Sequence, residues 1–245
     1  MANSSKKITN VNSDSDVTSN PGTFTPSAES TGEAKKFRLI SILLWLAAIG
    51  IEVFAIFKLR EIPINMTLLI GLVVGMLILV VIANVLWKKA NRLDPASEAN
   101  KFKFFVQNQL GLIISVIAFL PLVVLIFTNK NMSGKQKGIL GSIATIALII
   151  AGVTGTDFNP PSQEQYAEQT KQVEELNGGV NNVYWTQSGK SYHLYQDCGY
   201  INGKRTNEIF QGTVAKAREL KNISDICDRC SNQAEKEKVI APPAG

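Results

Sequence analysis

Four side chains with the chemistry of metal ligands are gathered in the last quarter of the chain. The sequence contains three cysteines and a single histidine. An odd number of cysteines cannot pair completely, which disfavours a disulfide framework. A histidine comes first, a cysteine follows with four residues between them, and a Cys-x-x-Cys pair comes later. The four residues are His193, Cys198, Cys227 and Cys230.

This set of side chains matches the coordination that zinc prefers. Zn²⁺ is held in a tetrahedron by thiolate sulfur at about 2.3 Å and imidazole nitrogen at about 2.0 Å. A Cys-x-x-Cys pair suits one ion because its first sulfur lies on a tight turn and its second at the start of the next helix. The chain supplies four such ligands, and no cysteine or histidine is left over. We therefore predict one structural zinc ion, bound by these four side chains.

Two other interpretations of the cysteines remain open. Cys227 and Cys230 could form a redox pair, although the strand and the βαβ pattern of a thioredoxin-type context are missing. The three cysteines could also be buried structural thiols, with a histidine that is unrelated to them.

Short elements around the four residues are expected to position them. Aromatic and β-branched residues on both sides of a turn at Gly189 predict a β-hairpin, with His193 on its second strand. A third strand fits near Ile209. Thr213 is placed to cap a helix that runs to Lys221. The residues expected to face inward from this helix are Val214, Ala217 and Leu220.

The same stretch resembles a known zinc-binding module. The residues that carry the likeness are Val183-Tyr184-Trp185, Gly189-Lys190, Tyr192-His193, Cys198 and the Cys227–Cys230 pair. Over about residues 183–231 they resemble the small Ada-type module of bacterial proteins. The resemblance implies a β-hairpin and helices around one zinc ion. The repair proteins of that family have four cysteines, one of which accepts a methyl group, whereas His193 takes the first ligand position here. Alkyl-acceptor chemistry therefore does not follow from the resemblance.

Four apolar segments precede this region and meet the length needed to cross a bilayer, which is about 20 residues. They are apolar all round, whereas the helices of a soluble core are amphipathic. We therefore predict a membrane all-α region at 37–157, followed by a small α+β zinc-binding C-terminal domain. The predicted transmembrane helices are 39–57, 64–87, 104–127 and 138–156.

Basic residues beside these segments predict the orientation, because cytoplasmic loops carry an excess of Lys and Arg. Nine flank one side, namely Lys35, Lys36, Arg38, Lys88, Lys89, Arg92, Lys101, Lys103 and Lys171. Five flank the other, namely Lys58, Arg60, Lys130, Lys135 and Lys137. We expect a multi-pass protein of the cell membrane with both termini in the cytoplasm.

The remaining segments are polar. Residues 1–36 lack apolar periodicity and are predicted to be a disordered tail. Residues 158–179 are expected to form a linker, with a solvated stalk helix from Gln163 to Leu176 that starts at Ser162. The zinc-binding domain is placed at 180–236, and residues 237–245 are expected to be a second disordered tail.

The apolar segments contain a few polar side chains and glycines with possible roles. Glu52 is an intramembrane candidate, because an ionisable group at that depth is often functional. Asn84 and residues 107–109 are expected at the membrane interface. Gly71 and Gly75 have the spacing that permits close helix packing, and a homo-oligomer through them is left open.

The function expected from the sequence is not enzymatic. Four protein ligands close a zinc site, whereas a hydrolase keeps one position for water. We expect a zinc module that serves interaction or sensing, with the lipid bilayer and an unknown protein as partners. A channel or transporter subunit with Glu52 on the path is the alternative. Nucleic acid is not an expected partner, but Lys190, Lys204, Arg205, Lys216 and Arg218 would carry such binding.

Overall fold

The chain divides into two compact units. The computed structural model describes residues 6–11 and 24–240. The helical unit is Glu29–Pro160, and the C-terminal unit combines Pro161–Gly245 with Met1–Ala28. The described residues near the N-terminus, 6–11, therefore belong to the same unit as the C-terminal elements.

The described residues contain seven helices and five strands. In chain order they are β1 (Lys7–Asn10), α1 (Ala28–Leu59), α2 (Met66–Leu93), α3 (Lys101–Thr128), α4 (Gly134–Gly155), α5 (Gln163–Leu176), β2 (Val183–Trp185), β3 (Ser191–Tyr192), β4 (Glu208–Gly212), α6 (Val214–Lys221), β5 (Asp225–Ile226) and α7 (Asp228–Ile240).

The four long helices of the helical unit confirm the helical part of the predicted fold. Helices α1 to α4 are long and apolar enough to cross a membrane. Helix α1 begins at Ala28, well before the apolar stretch. The reason is that Ala34, which is buried, packs against Ala90 and Leu93 near the end of α2. The hydropathy pattern showed only the apolar part of α1, and polar residues extend the helix toward the N-terminus.

A single buried amide connects α2 to the other three long helices. The Asn84 side chain is 1% exposed, although its type and place predicted an interfacial position. Its Oδ1 accepts a hydrogen bond from Trp45 Nε1 of α1 at 3.1 Å. Its Nδ2 donates to Ser115 Oγ of α3 at 3.2 Å and to the Ala151 carbonyl of α4 at 3.1 Å. Because a polar group in an apolar interior needs partners, these bonds fix how the four helices meet.

Asn108 is a second amide that is buried within the helical unit. Its side chain is 2% exposed, and its Oδ1 accepts a hydrogen bond from Asn91 Nδ2 at 3.3 Å. The neighbouring Gln109 donates from Nε2 to the Asp157 carbonyl at 3.0 Å. Amides in this turn of α3 therefore bond within the protein.

Within the chain, the closest helix contact is between Gly111 and Gly155. A Cβ added at Gly71 or Gly75 would meet no atom within 4 Å inside the chain. A Cβ on Gly111 of α3 would lie 2.9 Å from the Asn84 Oδ1 and 2.9 Å from the Gly155 carbonyl oxygen of α4. Gly111 and Gly155 thus bring α3 and α4 together, and Gly111 leaves room for the bonds of Asn84.

The C-terminal unit has two small sheets. One contains three strands in the order β1-β4-β2, with β1 parallel and β2 antiparallel to β4. The other pairs β3 with β5 in parallel. The predicted hairpin is present only as one antiparallel bridge between Tyr184 and His193, since β2 and β3 otherwise join different sheets. The third strand expected near Ile209 is β4.

The N-terminal tail differs from the disordered segment predicted for 1–36. Residues 7–10 form β1, and residues 28–36 belong to α1; residues 1–5 and 12–23 lie outside the described residues. Strand β1 escaped prediction because it is four residues long and pairs with a strand about 200 positions away. At the other end, α7 continues to Ile240, so residues 237–240 are helical rather than disordered, and residues 241–245 are not described.

Helix α5 has the predicted bounds but is not a solvated stalk. Ser162 Oγ caps it by accepting from the Gln165 backbone N–H at 3.1 Å, and it ends before Gly178, whose φ of +63° suits glycine. Tyr166 and Val173 on one face are fully buried. Val173 packs in the core of the C-terminal unit, so α5 is part of that unit.

A buried arginine explains how α5 is held. Val214 and Ala217 of α6 face inward as predicted, but Leu220 is 54% exposed and Arg218 is 1% exposed. The Arg218 guanidinium donates to Gln169 Oε1 at 2.7 Å and to Gln165 Oε1 at 3.2 Å on α5. Its Cζ lies 4.6 Å from the centre of the Tyr166 ring. The long arginine side chain, rather than Leu220, therefore fills the space between α6 and α5.

The contact at Gly111 predicts a difference between two otherwise similar substitutions. We expect Gly111→Ala to destabilise the helical unit by about 1–3 kcal/mol, because the added methyl overlaps Asn84 and Gly155. Gly75→Ala is the matched control, since it adds the same methyl to the interior of a helix but into open space. Thermal unfolding of the detergent-purified chain measures both. Equal midpoints for the two variants would contradict the described packing of α3 on α4.

Candidate metal centre

The first two ligand candidates lie on a strand end and a turn. His193 follows β3 directly, and its backbone N–H donates to the Tyr184 carbonyl at 2.7 Å while its carbonyl accepts from the Tyr184 N–H at 2.8 Å. Cys198 lies in a turn in which its N–H donates to the Tyr195 carbonyl at 3.2 Å. Backbone hydrogen bonds therefore hold both residues in place.

The Cys-x-x-Cys pair lies where a strand turns into a helix, as its spacing predicts. The Cys227 N–H donates to the Tyr192 carbonyl at 2.9 Å, which continues the pairing of β5 with β3. Helix α7 begins at the next residue, and the Cys230 N–H in its first turn donates to the Cys227 carbonyl at 2.9 Å. This turn places the two sulfurs on the same side of the chain.

The four side chains converge on one point. Their ligand atoms all lie within 4.8 Å of one another, and all four residues are buried. The Cys230 Sγ is 3.7 Å from the His193 Nδ1, and the edge of a tetrahedron around zinc is roughly 3.5–3.8 Å for these bond lengths. We call this group, formed by His193, Cys198, Cys227 and Cys230, the four-ligand cluster. A buried His/Cys₃ group of this size indicates a metal ion, and its donors are those that zinc prefers.

The electrostatics of the four-ligand cluster call for a cation. Burial raises the pKa of the Cys230 thiol to about 12, even though backbone groups of Leu194 and Tyr195 lower it by hydrogen bonding. Burial also lowers the pKa of His193, which keeps the imidazole neutral and able to coordinate. A divalent cation reverses the effect on the thiols, because coordination deprotonates them. Such an ion would therefore favour the anionic form of the Cys230 sulfur, which burial alone disfavours.

The alternative interpretations account for less of this geometry. A redox pair needs only Cys227 and Cys230, and leaves the approach of His193 and Cys198 unexplained. Buried structural thiols would leave the position of His193 unexplained. In the described part of the chain, a metal ion is the interpretation that uses all four positions.

A cleft of about 380 Å³ lies against one side of the four-ligand cluster. His193 and Cys227 form part of its wall, together with Lys190, Tyr200 and Arg229. Its charged residues include acids as well as bases, since Asp225 and Asp228 also line it. Its mixed charge does not select one class of small molecule.

The intramembrane candidate Glu52 lies apart from this centre, in the helical unit. Its side chain is 4% exposed, and its Oε1 is buried with no hydrogen-bond partner in the part of the chain that is described. Ala48 and Ala55, one turn away on either side, are buried as well. Glu52 therefore faces the interior of the helical unit and does not reach toward headgroups.

The basic residues considered for nucleic-acid binding do not form one surface. Arg218 is buried against α5, and Lys216 lies 3.3 Å from the Glu219 carboxylate. Lys204 and Arg205 are exposed. Two of the five basic residues are therefore engaged within the protein.

Some main-chain groups that hold the four-ligand cluster could not be predicted from the sequence. The Tyr192 carbonyl and the backbone groups of Leu194 and Tyr195 hold or contact the cysteines through the main chain. Any residue type provides such groups, so their role is visible only once the chain is folded.

Comparisons with known proteins add no family to this geometry. No protein-family model, no curated protein and no solved structure was found to match the chain. The resemblance of residues 183–231 to the Ada-type module therefore rests on the quoted residues alone.

Loss of one ligand should release the ion. We expect Cys230→Ala to lower the zinc content of the purified full-length chain from one ion per chain to near zero and to unfold the C-terminal unit. The physical reason is that metal binding supplies about 10 kcal/mol or more to small zinc domains. His193→Cys should retain zinc, since four thiolates are also a tetrahedral set. Elemental analysis measures the metal.

Asp228→Asn is the control for this prediction, because Asp228 is exposed and lies between the two cysteines without joining the cluster. It should keep one zinc per chain. Zinc content that is unchanged in Cys230→Ala would show that Cys230 does not bind the ion.

Proposed function

We propose that this chain is an integral membrane protein of the cell membrane whose zinc module mediates interaction or sensing, without catalysis. The observation that carries the proposal is the occurrence of two features in one chain. Four helices are long and apolar enough to cross a bilayer, and a buried His/Cys₃ group lies in a separate compact unit. Such an arrangement suits a soluble module tethered at a membrane surface.

The ligand set does not favour a catalytic role for the ion. Four protein ligands complete a tetrahedron, and catalytic zinc ions keep a position for water. In the four-ligand cluster, three thiolates would also offset the charge of the ion, which weakens its action as a Lewis acid. The ion then contributes folding energy to the C-terminal unit rather than a reaction.

Strand pairing supports the proposed orientation of the termini. Strand β1 near the N-terminus and β4 near the C-terminus belong to one sheet, so both must be on the same side of a membrane. An even number of spans meets this condition, and α1 to α4 provide four. The bias of Lys and Arg selects the cytoplasmic side, where a reducing environment keeps thiols available for metal. A reporter fused after Gly245 that is active only outside the cytoplasm would overturn this orientation.

The channel or transporter alternative has one supporting observation. Glu52 is a buried carboxyl that faces the interior of the helical unit, and such groups often belong to ion pathways. Asn84 and Ser115 on facing helices are also polar, but they bond to each other. A continuous polar path through the helical unit is therefore not outlined by the described residues.

Two variants distinguish the two functions. The full-length chain, tagged and crosslinked in its native cells, should capture specific proteins in a way that Cys230→Ala loses and Glu52→Gln keeps. The reason is that the first change unfolds the C-terminal unit and the second leaves it intact. In liposomes, neither wild type nor Glu52→Gln should give ion flux above the protein-free rate. Flux that Glu52→Gln abolishes, with captured proteins that do not depend on Cys230, would favour the channel instead.

A further inference from the structure

The N-terminal strand occupies the outer edge of the three-stranded sheet. Residues 7–10 pair in parallel with β4 from Glu208 to Gln211, and the Val11 N–H donates to the Gln211 carbonyl at 2.9 Å. Since the sheet order is β1-β4-β2, β4 has β1 as its neighbour on that side. Without β1, the backbone N–H and C=O groups of β4 would form an open edge, which is a template for pairing with another extended chain.

The main chain contributes most of the contact between β1 and β4. Lys7, Ile8 and Asn10 are exposed on the strand, and Ile8 keeps 39% of its surface in solvent. Val11 alone of this segment packs against the core of the unit, and only in part. A strand held mainly by its backbone can be replaced by another of different sequence, as in β-augmentation.

Three polar contacts give the edge a preference for certain side chains. The Glu208 carboxylate accepts a hydrogen bond from the Thr9 hydroxyl at 2.5 Å and lies 2.9 Å from the Lys7 ammonium. Both contacts hold the pKa of the Glu208 carboxyl below its usual value. The Lys6 ammonium donates to the Gly203 carbonyl at 2.6 Å. The edge thus matches two consecutive basic residues followed, two positions on, by a hydroxyl-bearing residue.

We propose that the β4 edge is a peptide-binding site for an extended segment of a partner protein with the pattern basic-basic-x-Ser/Thr. Residues 6–11 of this chain fill the site in cis and compete with the partner. The proposal rests on the proposed function of the C-terminal unit as an interaction module, and it names the chemistry of the partner. A partner gains access when its local concentration or its contacts exceed those of the tethered segment.

The experiment uses a fluorescent peptide with the sequence of residues 6–11, Lys-Lys-Ile-Thr-Asn-Val, and the detergent-purified chain. A variant lacking residues 1–11 should bind the peptide saturably, as measured by fluorescence anisotropy. The complete chain should bind it at least about tenfold more weakly, because the tethered segment competes at a high effective concentration. In the complete chain, Lys7→Glu should restore binding, because it places a second carboxylate beside Glu208.

Glu208→Gln, made in the shortened chain, tests the recognition of the side chains. It should weaken peptide binding about two- to fivefold, the range expected for one exposed ion pair. Glu235→Gln is the matched control, since Glu235 is an exposed carboxylate elsewhere in the C-terminal unit, and it should change nothing. Zinc content identifies variants that have lost their fold. If the shortened chain has lost its fold, peptide binding is compared between Lys7→Glu and the unmodified complete chain instead.

Several results would overturn the proposal. One is that the zinc-loaded chain without residues 1–11 does not bind the peptide saturably. Another is that the shortened and complete chains bind the peptide equally well. A third is that Glu208→Gln and Glu235→Gln weaken peptide binding by the same factor. A concentration-dependent dimer of the complete chain that Lys7→Glu abolishes would identify a second copy as the occupant instead. Captured proteins that depend on Cys230 while the peptide fails to bind would leave the proposed function standing and refute this site alone.

Discussion

The convergence of four buried ligands on one point is the constraint on which the C-terminal unit depends. The ligands lie on three separate turns or element ends, with Cys227 and Cys230 sharing one, so no local preference brings all four together. Burial of thiols and an imidazole without a cation offers little stability, whereas coordination of zinc supplies about 10 kcal/mol or more in small domains. That amount is comparable to the whole stability of a typical domain, which is about 5–15 kcal/mol. The strands of two and three residues around the four-ligand cluster are too short to be stable by themselves.

The helical unit depends on a different interaction. Apolar helices in an apolar medium gain little from hydrophobic burial, so close packing and hydrogen bonds decide their arrangement. Asn84 bonds to side chains or carbonyls of α1, α3 and α4, and Gly111 allows α3 to approach it. The two units thus obtain specificity from polar contacts of different kinds. In one, four ligands converge on a candidate metal site, and in the other, hydrogen bonds join the helices.

The parts of the structure that follow local rules could be predicted from sequence. Four long apolar helices follow from hydropathy, and the bounds of α5 follow from Ser162 at its start and the glycines at its end. The meeting of His193 with the three cysteines follows from their residue types. These features are encoded within a few turns of the chain or by a composition that leaves few alternatives.

The parts that escaped prediction depend on partners far away in the sequence. Strand β1 exists because β4 offers it an edge. The Leu220 side chain was expected to face inward from α6. Arg218 faces inward instead, because glutamines and an aromatic ring on α5 surround its guanidinium. Asn84 was expected at an interface, and its bonding partners lie on three other helices. In each case a contact with a distant part of the chain, which the local sequence does not show, decided the outcome.

We infer that three thiolates and one imidazole of the four-ligand cluster bind one zinc ion. X-ray absorption at the zinc edge, on the full-length chain purified from membranes with detergent, measures this coordination. We expect one zinc per chain with three sulfur neighbours at about 2.3 Å and one nitrogen at about 2.0 Å. A first shell made only of nitrogen and oxygen, or a folded chain that carries no metal, would contradict it.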